Sequence, residues 1–281
     1  MIHPENLVHP DLDLGAREDY PASVVCYFGA LEKGVAFAAH SHRRAQLFHI
    51  VSGSLTVETA RGTFVVPPER AVWIPSGVKH AVTYLQKSAL RYLFFRPEAA
   101  KRLPEDPSVV RLSPLLRELI PAFMEYARAD AVRGPAKRIA DVILDQLETV
   151  PVLPLHLPMP TSARLRRAVR ALADDPGLVA DLGALAGQAA LSERSFERHF
   201  QSETGLSFRA WRQQARLMKA VEWLSLGHKV GDIADRLGYE QPSAFVASFR
   251  RAFGVTPSKY FSEEPPKSSP AKSSHANSSH G

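Results

Sequence analysis

One unit is written twice in the C-terminal part of this chain, and that repetition narrows what it can fold into. The first copy carries Leu185-Ala186, Ser192, Phe196, Phe200, Gly205 and Trp211; the second carries Ile233-Ala234, Gln241-Pro242, Phe245, Phe249, Gly254 and Tyr260. From the first Phe to the closing aromatic the spacing is identical, and only the upstream turn differs, by one residue. Each copy offers an apolar helix, a short turn, a second helix with its own start signal and a terminating Gly. Those are the parts of a helix-turn-helix.

The second helix of each copy is where the chemistry lies. Ser192 is placed to cap the first such helix. Phe196 and Phe200 are i, i+4 and face inward, so Arg194, Glu197, Arg198 and Gln201 share the opposite, solvent face. Arg can bond guanine in bidentate fashion, Gln adenine, and Glu can accept from cytosine. A polar helix face standing alone reads as ordinary solvation; its repetition points to DNA. In the second copy Pro242 takes the first helical position, and the exposed residues are Ser243, Val246, Ala247 and Arg250. These are poor in base-specific donors, so the first copy is expected to carry more of the sequence specificity. Arg250, Arg251 and Lys259 suit phosphate contacts. A joining helix from about Phe208 to Leu226 spans roughly 28 Å, close to one turn of B-DNA at about 34 Å. It can hold two reading helices in successive major grooves.

Charge agrees with this placement. Between 162 and 262 there are 15 Lys and Arg against 10 Asp and Glu, so most of the chain's net +6 sits on the repeated unit. A chain of 281 residues with 45% apolar content is long enough to bury two cores. Its one cysteine, Cys26, excludes an intrachain disulfide and suits a reducing cytosol. No apolar run approaches the roughly 18 residues of a membrane span, and the N-terminus does not read as a signal peptide.

Upstream the pattern changes to short alternating runs between Val24 and Phe95, the signature of an all-β barrel or sandwich. It contains two polar clusters. In the first, Gly34, His40, His42, Gln46 and Gly53 follow one another; in the second, Pro75, Gly77 and His80. On strands, His40 and His42 share a face, Gln46 shares one with Phe48 and Ile50, and His80 with Val82 and Tyr84. If those faces point inward, three imidazoles and an amide meet inside an apolar effector pocket lined by Phe48, Ile50, Val82 and Tyr84. Such a set suits a divalent transition metal, or hydrogen-bonds an organic effector.

The remaining segments read more simply. Residues 1–21 form a mobile arm. Residues 108–150 turn helical, with Leu112, Leu115, Leu116, Leu119, Ile120 and Phe123 in one helix and Ile139, Val142, Ile143 and Leu147 in the next, broken at Gly134-Pro135. Residues 151–161 hold a proline-rich, extended linker whose leucines suggest packing along a domain. Residues 263–281 are a disordered Ser-, Lys- and Pro-rich tail.

The first polar cluster resembles the first cupin motif, GxxxxxHxHxxxExxxxxxG, with Gln46 in place of the usual Glu. Pro75–His80 resembles the second, PxGxxH, with Glu69 where a Gly is usual upstream and Tyr84 where an Asn is usual downstream. The resemblance implies a cupin-like barrel over 22–107 and aligns His40, His42, Gln46 and His80 with the metal ligands. Gln46 removes the one anionic ligand. Residues 162–262 resemble the DNA-binding domain of AraC/XylS regulators, most specifically at Phe249-Arg250-Arg251-Ala252-Phe253-Gly254-Val255-Thr256-Pro257-Ser258-Lys259-Tyr260. That resemblance implies a bacterial, cytoplasmic regulator that binds promoter DNA, answers to a small-molecule or metal effector, and contacts RNA polymerase if it activates. It implies a homodimer through the helices of 108–150. The family's contact positions match Arg194, Glu197 and Arg198, then Pro242, Ser243 and Ala247.

The expected architecture is thus α+β: a cupin-like barrel with a helical dimerisation segment, then an all-α domain with two helix-turn-helix units. The leading function is a one-component transcription factor without catalysis. A metal-dependent cupin enzyme carried on a DNA-binding domain is the alternative, and a metal-sensing regulator is a variant of the first.

Overall fold

The computed structural model describes residues 20–127 and 132–261. Most of the expected arm and the whole expected tail therefore lie outside the described residues. The first sheet takes β1 (Val24–Leu31), β3 (Ala45–Ser52), β6 (Arg70–Ile74), β8 (Ser88–Phe95) and β9 (Ser108–Arg111), in the order β1-β8-β3-β6-β9. The second takes β2 (Ala36–His40), β4 (Leu55–Thr59), β5 (Gly62–Val66), β7 (His80–Tyr84) and β10 (His156–Pro158), in the order β10-β5-β4-β7-β2. All pairings are antiparallel.

The two sheets differ in what covers them. Phe48 and Ile50 of β3 and Tyr92 and Phe94 of β8 point to the space between the sheets, with Val57, Val82 and Tyr84 from the second sheet. Ala45, Leu47, Leu93 and Phe95 point outward and are buried under α1 (Pro114–Tyr126) and α2 (Gly134–Glu148). Burial on both faces explains why β3 reads as a nearly continuous apolar run, whereas β4, open on one face, alternates. Two cores do form, but they do not divide as one per half of the chain. One lies between the first sheet and α1/α2, and the other runs from the sheet interior into the C-terminal helices.

Three boundaries depart from the sequence reading. Residues 108–150 do not open as helix: Val109 and Val110 belong to β9, which pairs with β6. The proline-rich stretch is not a bare linker, because Leu153, Leu155 and Leu157 are buried and β10 adds to the free edge of β5. Prolines exclude helix there but tolerate an edge strand. The arm is already tied by residue 20, whose carbonyl accepts from Arg44 at 2.5 Å and Arg96 at 2.8 Å.

The helical C-terminal region holds α3 (Ala163–Asp174), α4 (Leu182–Gln188), α5 (Glu193–Thr204), α6 (Phe208–Ser225), α7 (Val230–Arg236) and α8 (Pro242–Phe253). Asp181 and Ser192 cap α4 and α5 by accepting from Ala184 N and Ser195 N. Gln241 makes no such bond to α8, which starts on Pro242 instead. Both α5 and α8 end on a left-handed glycine, Gly205 at φ 75° and Gly254 at φ 79°. Each copy closes as an aromatic cluster: Phe200 meets Trp211 at 5.5 Å, and Phe249 meets Tyr260 at 5.2 Å.

Those two equivalent aromatics also touch the β domain. Trp211 Nε1 donates to Pro158 O at 2.6 Å, and the Arg70 guanidinium lies 5.4 Å from the Tyr260 ring centre. Between them α6 runs along the β10 edge. Gln214 donates to His156 O near its start, and at its end Ser225 meets Gln86 at 3.1 Å and Ser54 at 3.4 Å.

Candidate functional site

β2 ends on His40, and β7 begins on His80 directly across from it. His42 follows in the next turn, and Gln46 is the second residue of β3. The turn at Pro75–His80 is held to the first motif by Gly77, whose N–H donates to His42 O at 2.9 Å. Gly77 has φ 74°, a backbone that a side chain would strain. The strands thus bring together all four residues expected to converge.

The donor set has a defined orientation. The Nδ1 atoms of His40, His42 and His80 lie 2.8, 2.5 and 2.9 Å from the carbonyls of Ala38, Arg44 and Val78. A carbonyl only accepts, so each Nδ1 carries its proton and each Nε2 keeps a lone pair. One ligating nitrogen from each of the three lies within 4.8 Å of the others. His42 Nε2 is 2.8 Å from the Gln46 side-chain amide oxygen as placed. Two lone pairs cannot face each other at that distance, so the amide turns its N–H2 to the ring or both ligate one cation. His80 is 1% exposed with Nε2 unpartnered among described atoms. Burial, chiefly, holds its pKa down at about 4, and the neighbouring His42 and His40 act in the same direction. It is therefore neutral at pH 7, the form that binds a metal.

Phe48, Ile50, Val82 and Tyr84, expected to line a pocket, are all core residues at 4% exposure or less. Phe48 meets the His80 ring at 6.2 Å, so it does border the histidines. Tyr84 instead bonds the Tyr92 hydroxyl at 3.0 Å. Phe94 was missed by the sequence reading, yet its ring is 5.6 Å from His42. The alternation of β8, which turns Tyr92 and Phe94 to the same face, is the signal that would have found it.

On the helical side, Arg194, Glu197, Arg198 and Gln201 are all exposed on α5, opposite buried Phe196 and Phe200. Ser243, Ala247, Arg250 and Arg251 are exposed on α8 and share a shallow groove of about 630 Å3 with Val246 and Thr256. Pro242 is exposed at the first turn. Thr256, within the Gly-Val-Thr-Pro run, was not singled out from sequence.

Residues 24–208 match the AraC-like ligand binding domain, and residues 185–263 match a helix-turn-helix domain. The chain belongs to the AraC family of transcriptional regulators. It is 36% identical over 262 residues to the HTH-type transcriptional regulator NimR of Escherichia coli (strain K12), covering 93% of this chain and 94% of that protein. It is 30% identical over 151 residues to the HTH-type transcriptional activator RhaR of Pectobacterium carotovorum subsp. carotovorum, 52% of each chain. Among solved structures it is similar to unsaturated fatty acid-bound ToxT from Vibrio cholerae, at 12% identity and a TM-score of 0.37 over 85% of this chain and 94% of that one. The relatives are regulators and not enzymes, in agreement with the non-catalytic reading. Among the described residues no helix is long and apolar enough to cross a membrane.

Proposed function

We propose that this regulator works as a single cytoplasmic component: α5 and α8 read promoter DNA, and a cupin-like β domain senses a divalent transition metal. The DNA reading rests on the exposed polar face of α5, repeated in position by α8 across the 18-residue α6. In this reading Arg194, Glu197, Arg198 and Gln201 contact bases, Pro242, Ser243 and Ala247 fit the second groove, and Arg250 and Arg251 hold phosphate. The helices α1 and α2 form the homodimer contact, and RNA polymerase is a further partner if the protein activates.

The observation that carries the metal reading is the set of three Nδ1–H groups tied to backbone carbonyls, on rings that each place a ligating nitrogen within 4.8 Å of the others. Metal-binding histidines are oriented in this way by their outer partners. His40, His42 and His80 would hold the ion, with Gln46 as a neutral fourth ligand, and the ion would supply charge that fixes the start of β3 to the end of β2.

Elemental analysis of untagged protein prepared without chelator tests it. About one metal per chain, lost in His42→Ala together with the response of operator binding to chelator, is expected. Absence of metal from the wild-type protein would overturn the reading and leave the histidines lining the site of an organic effector.

A further inference from the structure

The hydrogen bonds that hold α6 to the β domain come from Trp211 and Gln214 in its first half and from Ser225 at its end, and between them the halves do not close completely. The outer face of the second sheet and the facing sides of α3 and α6 leave a cleft of about 250 Å3. Its floor is apolar, made by Val65, Leu157 and Met218, each nearly fully buried. Its rim is charged. Arg170 pairs with Asp174 at 3.1 Å and Lys219 with Glu222 at 2.9 Å. Glu58, the fifth charged residue of the lining, enters no ion pair or side-chain hydrogen bond among the described residues. The lining therefore carries a net charge of about −1, concentrated on one carboxylate over an apolar floor.

We propose that this cleft is a second small-molecule site that takes a compact organic cation, its apolar body on the floor and its amidinium or ammonium group against Glu58. Such a site needs few polar groups if they are well placed, and a charge-assisted hydrogen bond to a carboxylate is among the stronger ones. It is separate from the histidine cluster. On β4, Val57 points between the sheets and Glu58 away from them, whereas His80 is buried within. Both halves of the chain contribute walls, so the site exists only while α6 is docked. A ligand that binds only the docked arrangement favours it by mass action, which couples occupancy to the placement of α5 and α8.

Calorimetric titration and ligand-observed NMR on the full-length chain, with benzamidinium and benzoate as matched probes of opposite charge, test the proposal. Benzamidinium is expected to bind at millimolar concentration or below and benzoate not to bind. Glu58→Gln, at an exposed position that leaves the core intact, should weaken benzamidinium about tenfold. Ala173→Leu, which fills the cleft from the α3 wall, should abolish binding. No benzamidinium binding, equal binding of benzoate, or unchanged affinity in Glu58→Gln would each overturn the proposal. Because no arm depends on metal, loss of the metal reading and loss of this site are told apart.

Discussion

Arg198 sits near the middle of α5, exposed and on the face opposite Phe196 and Phe200. On the reading proposed above, Arg198→Ala should cost about 1–3 kcal/mol of operator binding and relax preference at one base position, measured by fluorescence anisotropy against random DNA. An equal loss on both DNAs would move Arg198 to the phosphate contacts. A second residue bears on stability. His49 is 1% exposed, with neither ring nitrogen partnered among described atoms. Burial first, then the positive charges of Arg91 and Arg117, holds its pKa down at about 3. Its ordinary value, about 6.5, applies in the unfolded chain. Below that pH the unfolded state takes up a proton that the folded state refuses, so stability falls as pH drops from about 6.5 toward about 3 and is unaffected above. Urea midpoints at about pH 5 and pH 7.5 should differ less in His49→Leu than in wild type. At this scale Glu69 is also informative. It stands where the cupin resemblance places a Gly, and its φ of 57° is the left-handed backbone that a glycine favours.

Strand β10 is the element most exposed to change. It pairs with β5 through three residues, His156 to Pro158, and His156 stacks on Phe64 at 4.2 Å with an interplanar angle of 11°. At Gly62, φ is 139°, and an added Cβ would lie 2.1 Å from Leu157 O, which is backbone and cannot swing aside. Gly62→Ala should therefore lift β10 off β5 and destabilise the protein by about 1–3 kcal/mol. Amide hydrogen exchange at Thr63 and Leu157 should rise most; uniform change across the sheet would refute local detachment. The helices were more legible than this strand. Ser192, Asp181, Pro242, Gly205 and Gly254 mark their own helix ends through local hydrogen bonding and backbone preference, and the structure uses each of them in that way. Strands β9 and β10 carry no comparable local signal. Each is three or four residues long and is strand only because a partner edge receives it.

For the molecule as a whole, the junction between halves sets how α5 and α8 sit against the β domain. Trp211→Phe keeps the aromatic cluster of the first copy but removes the N–H donated to Pro158 O. It should loosen docking by about 1 kcal/mol and speed proteolysis within 151–161, with little change in the helical circular dichroism. Unchanged cleavage would show that the buried leucines of that stretch hold the junction without the bond. The sequence by itself determined the tandem helical unit and the β domain ahead of it, and its two polar motifs pointed to His40, His42, Gln46 and His80 without fixing the strand pairing that sets His80 across from His40. These follow from spacing, alternation and capping, which act over a few residues and are written in order along the chain. Only the tertiary structure decided that the proline-rich stretch is an edge strand and that one apolar core crosses from the β domain into the helices. It also decided that Trp211 and Tyr260, equivalent in the repeat, both turn to the β domain. Those outcomes depend on which surfaces meet across long sequence separations, and burial of apolar area is non-directional, so no local pattern records its partner.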